Sequence, residues 1–298
     1  MPRIQTRDLS LWYESFPPTG DEVQPYPLLL ICGFGMQAIH WPEPLLDALR
    51  AQGFRVIIFD NRDIGLSDRV KGKRAPAPAK IGLGRALGRV PEVPYLLDDM
   101  ADDAAALLDA LEIEKANIVG MSMGGMIAQL VALRHPDRTA SLCSWASMPG
   151  RLSDLLIHPK MIPLMLKPVS KDPEERIEDT KKMWAAIGTR AFPSSVVEIE
   201  DLARRSVERA PDESGIPRQF AAILASPSRV GALRALKVPT LVVHGDADPL
   251  VPRRGGKRVA KVVPDARLRL IRGYGHNLPP ELMEQIAEEI ALNAARAR

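Results

Sequence analysis

The sequence predicts an α/β fold in which a mostly parallel central sheet is flanked by helices and carries a helical insertion. Short, continuous apolar segments alternate with segments whose apolar residues recur at helical spacing. Continuous apolar runs indicate strands that are buried on both faces, as in a parallel sheet. The alternation stops in one Pro-rich stretch and then resumes, which indicates an insertion within a single core.

The first half of the chain contains most of the predicted strands and helices. Two short strands are predicted in RIQTRDLSLWYES, before a break at Pro-Pro-Thr-Gly. Four buried strands follow: YPLLLICGFG, FRVIIFDNRD, KANIVGMS and TASLCSWAS. They alternate with three helices: EPLLDALRAQG, LLDDMADDAAALLDALEI and MGGMIAQLVALRHP. Asp98 and Asp99 lie in the first turn of the second helix, where carboxylates interact favourably with the helix dipole.

The second half begins with the insertion and then returns to the α/β pattern. The clearest helices of the insertion are DPEERIEDTKKMWAAIG and PSSVVEIEDLARRSVERA. The strand VPTLVVHGDADPLVP, a helix from about Arg253, the strand ARLRLIRGYG and a final helix follow. We therefore expect a core of residues 1–145 and 233–298, with a helical cap of residues 146–232 at the carboxyl ends of the strands.

A basic stretch, residues 69–94, follows the fourth strand and is rich in Pro, Ala and Gly. We expect it to be mostly solvated loop, with a short helix near Leu83 to Leu87. A basic lid or a membrane-touching segment is the alternative, but the apolar face is too short to favour it.

Composition excludes several classes of protein. The 298 residues are 46% hydrophobic and 26% charged, and 40 basic residues face 37 acidic ones, so the net charge of +3 favours no nucleic-acid partner. The first residues alternate like a strand, unlike a signal peptide, and no apolar run could span a bilayer, so no membrane partner is expected. Cys32 and Cys143 lie in apolar runs, which favours reduced, buried thiols and a cytoplasmic location.

The segment GMSMG, residues 120–124, places Ser122 between a predicted strand and a predicted helix. At such a turn the serine hydroxyl projects outward, and the flanking glycines allow the two backbone segments to approach closely. The helix N-terminus adds a positive dipole where an oxyanion would form. This context indicates a nucleophile, and a Gly-rich turn without chemistry is the alternative.

A serine nucleophile needs a general base, and the chain has five histidines. Four of them lie in places that do not suit a base. His40 lies at a helix start and His135 at the far end of the nucleophile helix, while His158 lies in the insertion and His244 inside a strand. His276 lies in a Gly-flanked loop after the last strand, at the same sheet edge as Ser122. We therefore predict that His276 is the base, and that His244 is a core residue.

The acid that orients His276 should come from a loop at the same edge. The segment HGDADPLVP provides Asp246 and Asp248 directly after a buried strand. We predict Asp248, because Pro249 and the following helix start fix its position, while Asp246 could equally form a turn by capping its own backbone. The acid would hold the imidazole tautomer and stabilise the imidazolium.

With these residues in the order Ser, Asp, His, the chain resembles α/β-hydrolase fold enzymes that carry a helical cap. The segments GFGMQAIHWP, FDNRDIGLSD and GMSMGGMIAQLVALRHPDR resemble the esterases related to aclacinomycin methylesterase. The resemblance covers essentially the whole chain. It implies that Asp248 is the triad acid and that the backbone N–H groups of Phe34 and Met123 form the oxyanion hole.

Two positions depart from the pattern of those enzymes. Many of them have His-Gly at the strand end where this chain has Cys32-Gly33, which leaves the backbone donor in place but is expected to change how the loop is anchored. Asp63 stands where they often have glycine in a DxRGxGxS pattern. We expect an ion pair between Asp60 and Arg62 to hold this loop, in a structural role.

Tryptophans and methionines are the candidates for the substrate pocket. Trp41 and Trp145 are predicted to line it, with core packing as the alternative. We interpret six methionines as core residues, with Met123 used only for its N–H, although they also suggest a flexible acyl pocket: Met121, Met123, Met126, Met148, Met161 and Met165.

These residues together predict a serine esterase. Ser122 would attack the ester carbonyl while His276 takes its proton and Asp248 stabilises the imidazolium. We expect a small hydrophobic ester as substrate, no metal or organic cofactor, and a monomer or homodimer. The same triad can hydrolyse lactones or C–C bonds or catalyse perhydrolysis, and a ligand receptor is a further alternative.

Overall fold

The computed structural model describes residues 3–6, 8–20, 22–155 and 157–297. They form an eight-stranded sheet in the order β1-β2-β4-β3-β5-β6-β7-β8. The strands are β1 (Arg3–Gln5), β2 (Ser10–Phe16), β3 (Leu28–Ile31), β4 (Val56–Phe59), β5 (Ala116–Met121), β6 (Thr139–Trp145), β7 (Thr240–Gly245) and β8 (Arg267–Ile271). Strands β3 to β8 pair in parallel, and β1 and β2 pair antiparallel at one edge.

Helices connect the parallel strands and also form the insertion. The α-helices are α1 (Glu43–Ala51), α2 (Pro78–Ala86), α3 (Leu97–Ala110), α4 (Met123–Arg134), α5 (Ile162–Leu166), α6 (Pro173–Ile187), α7 (Val196–Arg209), α8 (Ile216–Ala225), α9 (Val230–Leu233), α10 (Arg254–Val262) and α11 (Met283–Ala294). The predicted alternation of strands and helices in the core is confirmed. None of these helices combines the length and apolar character needed to cross a bilayer.

Two layers of helices cover the sheet, which explains the continuous apolar strands. Every residue of β3, β4, β5, β6 and β7 is buried. On one face, side chains of α1 and α11 such as Leu45 and Ile286 pack in one apolar cluster. On the other face, side chains of α3, α4 and α10 such as Leu107, Ile127 and Val259 form a second cluster. Both faces of the central strands therefore need apolar residues.

Local signals in the sequence fix several helix starts. Asp99 Oδ2 accepts a hydrogen bond of 2.7 Å from Leu96 N at the start of α3, near the positive end of the helix dipole. In the basic stretch, α2 begins at Pro78, several residues before the predicted helix near Leu83. Proline suits the first helical turn, and Arg85 holds α2 against α8 by donating to Leu224 O at 2.8 Å.

The described residues between β6 and β7 contain helices α5 to α9 and no strand. The two helices predicted there are confirmed as α6 and α7. Their N-caps are Asp172, which accepts from Glu174 N at 3.0 Å, and Ser195, which accepts from Glu198 N at 3.3 Å. The sequence did not predict α8, because a proline in its first turn and a short apolar run resemble the surrounding loops.

Helix α4 packs unusually close to the sheet at two glycines. A Cβ added to Gly120 would lie 2.0 Å from Gly124 O, and one added to Gly124 would lie 2.0 Å from Ile31 O. Both contacts are with backbone, which cannot rotate away as a side chain could. Any larger residue at either position would push α4 away from β3 and β5.

We expect Gly124→Ala to lower the free energy of unfolding by about 3 kcal/mol or more, because the methyl group overlaps the Ile31 carbonyl. Gly82→Ala is the matched control, since a Cβ there meets no atom within 4 Å on α2. It should stabilise the protein by roughly 0.5–1 kcal/mol, because alanine favours a helix over glycine. Urea unfolding measures both, and equal effects would contradict the packing argument.

Candidate active site

Ser122 occupies the turn between β5 and α4 in a strained backbone conformation. Its φ is 57° and its ψ is −119°, a combination that residues with a side chain rarely adopt. Neighbouring bonds hold it there: Ser122 N donates to Trp145 O at 2.8 Å, and Ser147 Oγ donates to Ser122 O at 2.7 Å. The turn therefore fixes the direction of the serine side chain.

His276 and Asp248 form a buried hydrogen-bonded pair. His276 Nδ1 lies 2.7 Å from Asp248 Oδ2. The other carboxylate oxygen, Oδ1, accepts hydrogen bonds from Leu250 N at 2.8 Å and Val251 N at 2.7 Å. With both oxygens engaged and the side chain fully buried, Asp248 can orient the imidazole ring with Nδ1–H as the donor.

Three parallel strands bring these residues to one edge of the sheet. Ser122 follows β5 directly, Asp248 lies in the loop after β7, and His276 lies in the loop after β8. The alternative acid, Asp246, has a different partner, because its Oδ1 accepts from Gly273 N at 2.7 Å. Asp246 thereby ties the loop after β7 to the loop that carries His276.

His244 lies next to Asp248 and is buried, as the sequence predicted. Its Nε2 lies 2.8 Å from Val251 O and 3.6 Å from Asp248 Oδ2, while Nδ1 has no hydrogen-bond partner among the described residues. Burial lowers its pKa and keeps the ring neutral. His244 therefore supports the loop of the acid through Val251.

The loop after β3 lies against Ser122. A Cβ at Gly33 would be 3.3 Å from the Ser122 Cβ, so the main chain passes close to the serine. Phe34 and Met123 both line the cavity at Ser122. Two amides anchor the loop: Asn61 Nδ2 donates to Cys32 O at 3.1 Å, and Gln219 Oε1 accepts from Gly35 N at 3.1 Å.

A cavity of about 350 Å³ opens at Ser122 and His276. Its wall is mostly apolar and comes from the core loops, from α5 and from one face each of α6, α7 and α8. Four of the methionines interpreted as core residues lie in this wall: Met123, Met126, Met148 and Met165. Met123, Met126 and Met148 are also buried in the core cluster, which confirms the interpretation for them, whereas Met165 is only partly buried. Flexible thioether side chains suit a pocket that adapts to its ligand.

Trp41 and Trp145 do not belong to the described lining of the cavity, which corrects the prediction that they bind substrate. Both are buried in the cluster between the sheet and α1 and α11, with ring centroids 6.1 Å apart. Trp145 Nε1 donates to the Tyr274 hydroxyl at 3.0 Å. The alternative weighed for them, core packing, is what the structure shows, because Trp145 belongs to a central strand.

The predicted ion pair between Asp60 and Arg62 is also wrong. Asp60 is fully buried and pairs with Arg209 of α7 at 2.8 Å. It also accepts from Ala38 N at 2.7 Å, so it faces the loop after β3. Arg62 faces the opposite direction and pairs with Asp103 of α3 at 2.5 Å.

Asp63 has a role that explains why glycine is absent at this position. It has a φ of 72°, and its two carboxylate oxygens accept from Arg218 Nε at 2.8 Å and Nη2 at 2.7 Å. Arg218 belongs to α8, so the loop after β4 holds α8 through Asp63 and α7 through Asp60. The unusual aspartate is the one signal in the sequence, and no local pattern indicates a partner in α8.

His40 is a cavity residue to which the sequence assigned no role. Its ring stacks on Trp184 of α6, with centroids 6.1 Å apart and planes 4° apart. Nδ1 accepts from Gln37 N at 2.9 Å, and Nε2 lies 3.4 Å from Ser206 Oγ. Since Ser206 Oγ donates to Leu202 O at 2.7 Å, it accepts from His40 Nε2–H, which fits a neutral ring.

Comparison with known proteins gives consistent matches over nearly the whole chain. The family model of the alpha/beta hydrolase fold matches residues 26–281. Rhodomycin D methylesterase DauP of Streptomyces sp. (strain C5) is 29% identical over 320 residues, covering 99% of this chain and 98% of DauP. Rhodomycin D methylesterase DnrP of Streptomyces peucetius is 27% identical over 319 residues, with the same two coverages of 99% and 98%.

A solved structure matches the fold over the same length. The meta-cleavage product hydrolase of Pseudomonas fluorescens IP01 superimposes with a TM-score of 0.73. It covers 100% of this chain and 98% of its own, at 22% sequence identity. At this identity the similarity describes the fold alone.

The buried His40 is expected to make the stability of the folded protein sensitive to acid. Burial lowers the pKa of His40 from 6.5 to about 4, so between these values the unfolded chain binds a proton that the folded chain does not. Stability therefore falls as the pH drops from about 6.5 toward 4, by ~2–3 kcal/mol. We expect His40→Gln to remove a loss of that size between pH ~7 and ~4.5, as measured by urea unfolding.

His158→Gln is the control for this measurement, because His158 is exposed. It should leave the loss unchanged. An equal acid-induced loss in His40→Gln and in the unsubstituted protein would contradict the role given to His40.

Proposed function

The chain belongs to the α/β-hydrolase fold family, as its motifs predicted, and from this premise we propose that it is a serine hydrolase of carboxylic esters. The observation that carries the proposal is the 2.7 Å hydrogen bond between His276 and the buried Asp248, at the cavity that also contains Ser122. A neutral imidazole held in this way is a suitable base for a serine hydroxyl.

In the proposed mechanism, Ser122 Oγ attacks the ester carbonyl and its proton passes to Nε2 of His276. Asp248 stabilises the imidazolium, and the N–H groups of Phe34 and Met123 stabilise the oxyanion. The imidazolium then gives the proton to the departing alcohol, which leaves an acyl group on Ser122. Water, deprotonated by His276, releases the carboxylic acid and restores the serine.

The helical segment of residues 146–232 acts as the cap in this proposal. Helices α5, α6, α7 and α8 complete the cavity wall and so exclude water from the ester. The mostly apolar wall favours a hydrophobic ester. The relatives DauP and DnrP are named as methylesterases, which supports a small alcohol as leaving group. Free, buried Cys32 and Cys143 support a reducing compartment such as the cytoplasm.

Initial rates on p-nitrophenyl esters from acetate to dodecanoate test the activity. We expect turnover to favour one range of chain lengths, and Ser122→Ala to lower kcat/KM by about 10³-fold or more, because no other group replaces the nucleophile. Single labelling of Ser122 by an organophosphonate without turnover of any ester would instead favour a receptor. Turnover that survives Ser122→Ala would contradict the proposal.

The two aspartates after β7 provide a matched comparison. We expect Asp248→Asn to lower kcat by about 10³–10⁴-fold, since an amide no longer holds the imidazole tautomer or balances its charge. Asp246→Asn retains an oxygen that accepts from Gly273 N, so its kcat should stay within about 5-fold of the unsubstituted enzyme. Similar losses in the two variants would rule out Asp248 as the specific partner of His276.

A further inference from the structure

The mostly apolar cavity contains one charged pair whose hydrogen bonds are incomplete. Four charged side chains lie in the wall: Lys167, Arg176, Asp179 and Glu213. Lys167 and Asp179 neutralise each other, with Lys167 Nζ donating to Asp179 Oδ1 at 2.6 Å. Arg176 and Glu213 lie at the same wall but do not hydrogen-bond to each other.

Arg176 is only 7% exposed, and its guanidinium is not fully satisfied. Nη1 donates to Pro211 O at 2.6 Å, which fixes the side chain. The nearest carboxylate oxygen, Glu213 Oε2, is 3.9 Å from Nη1, beyond hydrogen-bonding distance. Nε is buried and has no partner among the described residues. Nε has almost no accessible surface, so a ligand would reach the guanidinium through the remaining N–H groups of Nη1 and Nη2, which donate to no other described residue.

Glu213 is the complementary acceptor. It lies just before α8, and its carboxylate accepts no hydrogen bond from any described residue. Burial raises its pKa, which reflects the loss of water around the carboxylate. The cavity wall therefore presents an unfilled donor and an unfilled acceptor side by side.

We propose that Arg176 and Glu213 form a subsite that binds a hydroxyl group of the substrate, so that the enzyme acts on hydroxylated hydrophobic esters. A hydroxyl oxygen accepts from the guanidinium while its proton is donated to the carboxylate. A charged substrate group would be attracted by one member of the pair and repelled by the other, whereas a hydroxyl group can hydrogen-bond to both. This inference rests on the ester hydrolysis proposed above and adds the substrate class.

Matched pairs of esters test the subsite. The first series consists of methyl esters of straight-chain acids from butanoate to dodecanoate, each with and without a terminal hydroxyl on the acid. The second series consists of alkyl butyrates, each with and without a terminal hydroxyl on the alcohol. Acid release gives kcat/KM for each member. We expect one chain length at which the hydroxylated ester is preferred by ~10-fold or more, because a site with unpaired polar groups discriminates against an analogue that leaves them unpaired.

Variants then assign the preference to the two residues. Arg176→Met and Glu213→Gln should each bring the ratio of kcat/KM for the hydroxylated ester to that for the plain ester close to one. Arg176→Lys keeps the charge and the aliphatic stem, and should retain only part of the preference. Arg204→Met is the control, because Arg204 is half-exposed and pairs with Glu174 on the outer surface.

The outcomes separate this inference from the proposed function. Turnover of plain esters without a preference for any hydroxylated ester would overturn the subsite and leave the esterase intact. Equal losses on both esters in Arg176→Met, Arg176→Lys and Glu213→Gln would assign the pair a structural role and also overturn the subsite. Failure to hydrolyse any plain or hydroxylated ester would contradict the proposed function itself.

Discussion

The close contact of α4 with β3 and β5 is the constraint on which the candidate site depends. Because Gly120 and Gly124 carry no side chains, the helix begins directly against the strands, and Ser122 must take a φ of 57° to connect them. Hydrogen bonds from the adjacent β6 segment then hold this conformation. The strain is local, and the packing of two buried clusters on either side of the sheet maintains it.

The loops at the carboxyl edge of the sheet complete the arrangement by a chain of short hydrogen bonds. Asp248 is fixed by the two amides that follow it, His276 by Asp248, and the His276 loop by Asp246. His244 supports the loop that carries Asp248, through Val251 O. Asp248 and His276 are buried, so water does not compete for the bond between them and their geometry is set before a substrate binds.

The insertion is attached to the core by buried charge pairs as well as by apolar contacts. Asp60 holds Arg209 of α7, and Asp63 holds Arg218 of α8. Both aspartates lie in the loop after β4, so one short loop positions two of the four insertion helices that line the cavity. Buried pairs of this kind add little net stability, but removing one partner is strongly destabilising, and they therefore favour one position of the helices over others.

The sequence alone determined the α/β alternation, the helical insertion, and the identity of Ser122, Asp248 and His276 as candidates, because periodicity, glycines and chain order are local signals. Only the tertiary structure decided which residues form the cavity wall, since burial in a central strand and exposure in a pocket have the same apolar sequence pattern. It places Trp145 in the core, and it shows that Met123, Met126 and Met148 are core residues that also line the cavity. The partners of Asp60 and Asp63 could not be predicted either, because ion pairs between distant segments depend on how the helices dock, which no local pattern encodes.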